Sequence, residues 1–143
     1  DFYEVPLRGI PPYLGEWVTD GRDDVAGPAL AVTMAQSTQA RWFLRHGMWV
    51  FGAKTPPEAL RACAPYNLDT AAARITCPTL VLDAENDLAF HGEARRVHEA
   101  LRCAKELMLF TVAEGAGEHC QEGAALRFHQ RVFDWLDERL ARA

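Results

Sequence analysis

The sequence predicts an α/β fold with a parallel sheet in its second half, and three observations lead to this prediction. Two short apolar runs, residues 78–83 and residues 107–112, have the length and content of buried strands. An amphipathic stretch over residues 92–102 separates them. A longer amphipathic helix follows, with one apolar stripe formed by Phe128, Val132, Trp135, Leu136 and Leu140. Because a strand–helix–strand connection within one sheet is right-handed, we expect the two strands to be parallel.

Residues 1–74 are predicted to form helices joined by irregular connections. A loop is expected over residues 6–15, which contain three prolines and two glycines. One helix is predicted over residues 23–34, where Pro28 is expected to be tolerable only in the first turn. A second helix, over residues 39–50, is dense in large apolar side chains.

Two further helix starts are predicted before the first strand. Thr55-Pro56-Pro57-Glu58 is the pattern of a capping box with proline at the first helical position. Asp69 is expected to cap a short helix that runs through Ala73.

Composition excludes several classes of protein. The 143 residues carry a net charge of −5, which argues against a nucleic-acid surface. No apolar run approaches the roughly 20 residues that span a bilayer, and no basic segment followed by an apolar stretch opens the sequence, so no membrane partner is expected. The four cysteines show no C-x-x-C spacing, which argues against a structural zinc site. They are expected to be reduced, mostly buried thiols of a cytoplasmic protein.

The predicted sheet is short of strands. Two parallel strands need neighbours and cover on both faces, and residues 1–74 offer no clear third strand. The sequence also opens at Asp1 without an initiator methionine. We therefore expect the chain to be part of something longer, or the product of cleavage.

An acid and a histidine follow the two predicted strands. Asp87 lies in the turn after the first strand and His119 in the loop after the second, and both are expected at the carboxyl edge of the sheet. There a carboxylate can fix the tautomer of a histidine and stabilise its protonated form. Asp83 and Glu85 are rival acids, although strand alternation should aim Asp83 away. An ordinary turn aspartate and a surface histidine are the alternatives, and Cys120 is expected to be a packed thiol rather than a nucleophile.

Both segments resemble known sequences. Ile75-Thr76-Cys77-Pro78-Thr79-Leu80-Val81-Leu82-Asp83-Ala84-Glu85-Asn86-Asp87 resembles the penultimate core strand and acid turn of the α/β-hydrolases. Glu114-Gly115-Ala116-Gly117-Glu118-His119-Cys120 resembles the histidine loop of one branch, which is similar to 2,6-dihydropseudooxynicotine hydrolase and the fungal polyketide-shortening hydrolases. Residues 41–52 look like the helical lid of that branch.

The resemblance implies a fold, an activity and two catalytic roles. It makes residues 1–74 a helical lid segment and residues 75–143 the C-terminal part of an α/β-hydrolase core. Asp87 is then the acid and His119 the general base of a Ser-Asp-His triad, in the chain order of this fold. The implied reaction is cleavage of an ester, or of a carbon–carbon bond next to a carbonyl, in a small-molecule substrate. No cofactor and no metal are implied.

The sequence departs from the family pattern at the nucleophile. No Gly-x-Ser-x-Gly occurs, and the one serine, Ser37, lies outside any strand-to-helix turn. We therefore expect the amino-terminal half of the hydrolase to be missing and the chain alone to be inactive. Its expected partner is that half, or another chain that completes the sheet; a homodimer is left open. The alternatives are a non-catalytic binding domain derived from a hydrolase, and one subunit of a split enzyme.

The remaining aromatic and histidine residues receive mostly structural interpretations. The aromatic cluster in residues 42–51 is expected to belong more to the core than to a ligand pocket. As part of a lid, three of its members are also candidates for substrate binding: Trp42, Trp49 and Phe51. His91 and His98 are expected to be solvated residues of one helix rather than metal ligands. The same interpretation is given to His46 and His129.

Overall fold

The computed structural model describes residues 4–88 and 90–141. The chain divides into two compact units, Asp1–Leu68 and Asp69–Ala143. The described part of the first unit is helical, with α1 (Glu4–Arg8), α2 (Pro12–Thr19), α3 (Asp23–Gln36), α4 (Thr38–Phe51) and α5 (Pro56–Ala62). Its buried core consists of Leu14, Val18, Ala26, Leu30, Leu44 and Leu60.

Side-chain caps explain where two of these helices begin. The Ser37 hydroxyl accepts the Ala40 N–H at 3.1 Å at the start of α4. The Thr55 hydroxyl accepts the Glu58 N–H at 3.4 Å at the start of α5, as the capping pattern predicts. In a standard capping box the Glu58 carboxylate would accept the N–H of the cap residue, Thr55. Here it accepts the N–H of the preceding residue, Lys54, at 2.8 Å.

An ion pair joins two helices of the first unit. The Arg61 guanidinium donates to both carboxylate oxygens of Asp23, at 2.7 and 2.8 Å, and to the Val18 carbonyl at 2.9 Å. The hydrogen bond from Arg61 holds the pKa of the Asp23 carboxyl below its usual value. This contact fixes the start of α3 against α5, because a two-pronged guanidinium–carboxylate pair sets both distance and direction.

Two predictions for the first unit are wrong. Residues 6–15 are largely helical: Pro12 occupies the first helical position of α2, where the missing N–H costs no bond, and a Cβ added at Gly15 would lie 3.9 Å from the Leu7 Cβ. Pro28 lies beyond the first turn of α3, which continues to Gln36. Because Pro28 is exposed, water can satisfy the carbonyl that loses its helical partner.

The described part of the second unit contains a two-stranded parallel sheet. Strands β1 (Thr79–Ala84) and β2 (Lys105–Phe110) pair from Thr79↔Lys105 to Ala84↔Phe110. Helix α6 (Glu93–Ala100) connects them, and α7 (Ala125–Leu140) follows. The predicted strand, helix, strand, helix order and the parallel pairing are confirmed.

Each face of the sheet is covered by a different helix. On one face the strands present apolar side chains to Phe128, Val132 and Trp135 of α7; these are Leu80, Leu82, Met108 and Phe110. Asp83 points to the opposite face, where its carboxylate lies 3.7 Å from Arg95 of α6. A helix therefore packs against each face of the sheet, while Lys105, Glu106 and Leu109 of β2 stay exposed.

Three further predictions need correction, two in the second unit and one for the cysteines of the whole chain. Strand β2 begins and ends two residues earlier than expected, because the Thr111 side chain accepts the Glu114 N–H and starts a 3₁₀ turn over Val112–Glu114. The helix expected after Asp69 is a 3₁₀ turn over Ala72–Arg74, without a side-chain cap. The cysteines are free, but they are not mostly buried: Cys63 is buried, Cys103 half-buried, and Cys77 and Cys120 exposed.

No helix within residues 4–88 and 90–141 combines the length and apolar character needed to cross a bilayer.

Candidate active site

The turn after β1, residues 85–87, is bonded to the loop that follows β2. The Glu85 N–H donates to the Phe110 carbonyl at 3.0 Å, and the Asn86 N–H donates to the Gly117 carbonyl at 2.7 Å. The Asn86 side-chain amide also donates to the Glu118 carboxylate at 3.3 Å. These bonds continue the pairing of the strands and place Asp87 beside the histidine loop.

The histidine loop, residues 111–121, is folded tightly at its start. The Thr111 side chain accepts the Glu114 N–H while the Glu114 carboxylate accepts the Thr111 N–H at 3.1 Å, which makes a full capping box. A Cβ at Gly117 would lie 2.7 Å from both the Cγ2 and the backbone N of Val112. Only glycine therefore lets the chain pass Val112 on its way to His119.

Glu114 ties this loop to α7. Its carboxylate accepts hydrogen bonds from Arg127 at 2.9 Å and from Arg131 at 3.2 Å. Arg131 also donates to the Leu109 carbonyl at 2.8 Å. The hydrogen bond from Arg127 and then that from the Thr111 N–H hold the pKa of Glu114 below its usual value. The loop is thus fixed to both the sheet and the helix that covers it.

Asp87 and His119, the two predicted site residues of this unit, are in direct contact. The Asp87 Oδ2 lies 3.0 Å from the His119 Nδ1. The aspartate side chain is 15% exposed and the histidine side chain 47% exposed. A largely buried carboxylate bonded to Nδ1 favours the tautomer in which Nδ1 carries the proton and Nε2 is free to accept another. Such a histidine can act as a general base.

The rival acids are engaged elsewhere. Asp83 faces Arg95 on the opposite side of the sheet. The Glu85 carboxylate accepts the Val112 N–H at 2.7 Å. Of the three acids considered, Asp87 is the one bonded to His119.

The backbone after His119 is in an unusual conformation. Cys120 and Gln121 both have φ of 54°, in the left-handed region that side chains other than glycine seldom occupy. Strain of this kind persists only where the surrounding structure imposes it, and it concentrates at functional sites. Cys120 is exposed, so the prediction of a packed thiol at this position is wrong.

The aromatic residues predicted for the lid do not form a core. Trp42 is 63% and Trp49 79% exposed, so the preferred core interpretation is wrong for both. Their rings flank His46, whose ring centroid lies 5.2 Å from that of Trp42 and 5.8 Å from that of Trp49. With two arginines they line a shallow groove of about 420 Å³ along α4, formed by Thr38, Arg41, Trp42, Arg45, His46 and Trp49. Phe51 does not line this groove: it is half-buried, and its ring centroid lies 5.5 Å from that of Tyr66.

The other histidines do not suggest a metal site. His91 precedes α6 and His98 lies within it, so the two do not share a helix as expected. In the part of the chain that the structure describes, no three His, Cys, Asp or Glu side chains are grouped so that they could hold a metal ion.

Sequence reasoning missed three residues that support the Asp87–His119 pair. They are Asn86, Glu114 and Phe90, whose backbone N–H donates to Asp87 Oδ1 and whose ring lies beside the imidazole. The capping pattern Thr111-Val112-Ala113-Glu114 could have identified Glu114, because Ser/Thr-x-x-Glu is a recognisable signal. No comparable local signal marks the other two.

Comparison with known proteins identifies fungal hydrolases as relatives. The chain is 31% identical to the 20-hydroxy-prefusarin hydrolase FUS2 of Gibberella moniliformis, over 99% of its own length and 36% of that protein. It is 29% identical to the hydrolase LUC6 of a Fusarium species, over 96% of the chain and 35% of that protein. It is 27% identical to the alpha/beta hydrolase psoB of Aspergillus fumigatus, over 89% and 30% respectively. The chain spans about a third of the length of these relatives.

No protein-family model and no solved structure matches the chain.

Fold, site and relatives agree on a class of protein. Two parallel strands, each followed at its carboxyl end by one member of an acid–histidine pair, with helices on both faces, match the chain order of acid and histidine in the α/β-hydrolase fold. The chain belongs to the α/β-hydrolases, with the fungal enzymes above among its relatives, and it fits the C-terminal portion of that fold.

Proposed function

We propose that this chain contributes the acid and the general base to a serine hydrolase whose nucleophile lies outside the printed sequence. The contact between Asp87 and His119, 3.0 Å long at the carboxyl edge of the sheet, is the observation that supports this proposal most directly. The printed sequence contains no Gly-x-Ser-x-Gly, and the relatives are about three times as long as the chain.

In the proposed mechanism His119 moves the proton. The serine hydroxyl attacks a carbonyl carbon while the His119 Nε2 takes its proton, and the imidazolium formed is stabilised by Asp87 at Nδ1. His119 then gives the proton to the leaving group, and water repeats the sequence to release the acyl group. Asp87 remains ionised throughout and keeps the imidazole in the tautomer that leaves Nε2 free.

The proposed substrate is a small molecule with a carbonyl group. The leaving group is either an alcohol, in ester cleavage, or a carbanion stabilised by a second carbonyl, in carbon–carbon cleavage. We assign the helical first unit to a lid, in which the exposed rings of Trp42 and Trp49 would contact substrate. We also include Phe51 among the residues proposed to contact substrate, although its ring packs against Tyr66 within that unit and is less accessible.

The proposed partner completes the sheet. Within the described ranges β1 and β2 pair only with each other, whereas parallel sheets are found with more strands. We assign the further strands and the serine either to an amino-terminal segment of the same polypeptide or to a second chain. The free thiols fit a reducing compartment, and we include a cytoplasmic location in the proposal.

The test compares two protein samples and two pairs of variants. The printed chain alone is expected to show no hydrolysis of a p-nitrophenyl ester that depends on His119. The complete hydrolase, meaning the polypeptide or pair of chains that supplies the serine, is expected to lose about 10⁴-fold or more in kcat on His119→Ala or Asp87→Asn. His129→Ala and Asp134→Asn, at exposed positions of α7, are the matched controls and should retain activity.

Two results would refute the proposal. Hydrolysis by the printed chain that disappears on His119→Ala would show that the nucleophile lies within it. A complete protein that binds its ligand equally well before and after His119→Ala, and never hydrolyses it, would favour the binding domain.

A further inference from the structure

Phe90 contacts both members of the acid–histidine pair, by its backbone and by its ring. We propose that Phe90 is a positioning residue that fixes which carboxylate oxygen meets His119 and in which plane the imidazole lies. This inference rests on the proposed function and adds to it a residue from the segment between β1 and α6.

The backbone of Phe90 orients the carboxylate. Its N–H donates to the Asp87 Oδ1 at 2.9 Å, while the Oδ2 of the same carboxylate faces the His119 Nδ1 at 3.0 Å. A carboxylate bonded through each oxygen in a different direction cannot rotate without losing one of the bonds. The backbone N–H of Phe90 thus leaves Oδ2 to accept from the histidine. Because this donor is a backbone group, it is present with any side chain other than proline at position 90.

The ring of Phe90 orients the imidazole. The two ring centroids are 5.6 Å apart and the planes are inclined by 22°, a stacked arrangement. The hydrogen bond at Nδ1 fixes one edge of the imidazole but leaves its plane free to turn about the line between Nδ1 and Oδ2. Stacking fixes that plane, and with it the direction of the Nε2 lone pair. An aromatic face beside an imidazolium also stabilises its positive charge, which appears when His119 takes a proton.

The other ionisable groups near His119 are directed elsewhere. The Glu85 carboxylate accepts the Val112 N–H, and the Glu118 carboxylate accepts the Asn86 amide. Arg95 faces Asp83 on the far side of the sheet, and the exposed Cys120 follows His119 in the chain. Within residues 4–88 and 90–141, the imidazole has its ion-pair contact with Asp87 and its ring contact with Phe90.

The test separates the ring from the backbone. Phe90→Leu and Phe90→Met keep the backbone N–H and an apolar side chain but have no aromatic face; Phe90→Tyr keeps the face. Histidine-labelled chains are compared by NMR, because a stacked ring shifts the carbon-bound protons of the imidazole upfield. We expect this upfield shift in the wild type and in Phe90→Tyr, and its loss in both aliphatic variants.

Kinetics of the complete hydrolase provide the second readout. Either aliphatic variant should lower kcat about 5-fold with KM unchanged, and Phe90→Tyr should restore it. Two aliphatic variants are used so that one that folds poorly does not decide the result. Wild-type spectra and wild-type kcat in a folded aliphatic variant would overturn the positioning role.

The two proposals fail in different ways. Turnover that survives His119→Ala refutes the proposed function. Turnover that depends on His119 but not on the ring at position 90 refutes only the role of Phe90.

Discussion

Gly117→Ala should disturb the candidate site more than any other single methyl group added to the histidine loop. A Cβ at this position would lie 2.7 Å from the backbone N and 3.0 Å from the Cα of Val112. Rotation of the valine side chain can relieve the contact with Cγ2 but not these two. Ordinary contact begins at 3.4 Å, so the chain must move by about 0.7 Å.

This displacement acts directly on the bonds that join the two turns. The Gly117 carbonyl accepts the Asn86 N–H at 2.7 Å, and His119 follows two residues later. A shift of about 0.7 Å, if passed on in full to His119 and directed away from Asp87, lengthens their 3.0 Å contact beyond hydrogen-bonding distance. We expect a loss of about 1–3 kcal/mol in unfolding free energy from overpacking. In the complete hydrolase we expect kcat to fall by about 10²-fold, since misplacement by about 1 Å has that effect.

The assays are urea unfolding of the chain, the amide proton shift of Asn86, and kcat of the complete enzyme. Gly27→Ala is the control: a Cβ there meets nothing within 4 Å, and the position lies inside α3. It should raise stability by about 0.5–1 kcal/mol and leave the Asn86 resonance in place. If Gly117→Ala matched the wild type in all three measurements, the close packing described for this loop would be wrong.

The remaining predictions concern the packing and ionisation of single residues. Glu114→Gln should lower stability at neutral pH. The folded-state pKa of Glu114 is below the ordinary 4.5, so the ionised carboxylate stabilises the folded chain above pH 4.5. This stabilisation is lost as the pH falls through the folded-state pKa. The unfolding free energies of the wild type and Glu114→Gln should therefore converge in acid. Phe110→Ala, at a fully buried position, should lose about 3–5 kcal/mol in urea unfolding, and a loss below 1 kcal/mol would contradict its place in the core. Towards a thiol reagent, buried Cys63, whose pKa is raised by burial, should react only on unfolding, and rapid reaction of the folded chain is expected at Cys77 and Cys120.

Local signals in the sequence were sufficient for the framework of the second unit. Apolar runs of strand length identified β1 and β2 within two residues, because the strand positions that pack against a covering helix are apolar. The rule that carboxyl ends of parallel strands share an edge then predicts that Asp87 and His119 lie together, and the structure has them in contact.

Other features depend on contacts that no local pattern encodes. Prolines normally indicate irregular chain, yet Pro11 and Pro12 serve as the cap and first residue of α2. Trp42 and Trp49 are large apolar residues, and residues of this type are usually buried. Their exposure depends on which surfaces the rest of the fold covers, which the local sequence does not encode. Phe90 contacts His119 from a distant segment of the chain, so its role could not be predicted from its neighbours in sequence.

The most direct test of the central claim is the tautomer of His119, measured by NMR of the chain labelled with ¹⁵N in histidine. We predict a proton on Nδ1 that exchanges slowly with water, an Nε2 without a proton in the neutral imidazole, and loss of the slow Nδ1 proton on Asp87→Ala but not on Asp134→Ala. A proton found on Nε2, with a spectrum that Asp87→Ala leaves unchanged, would contradict the account.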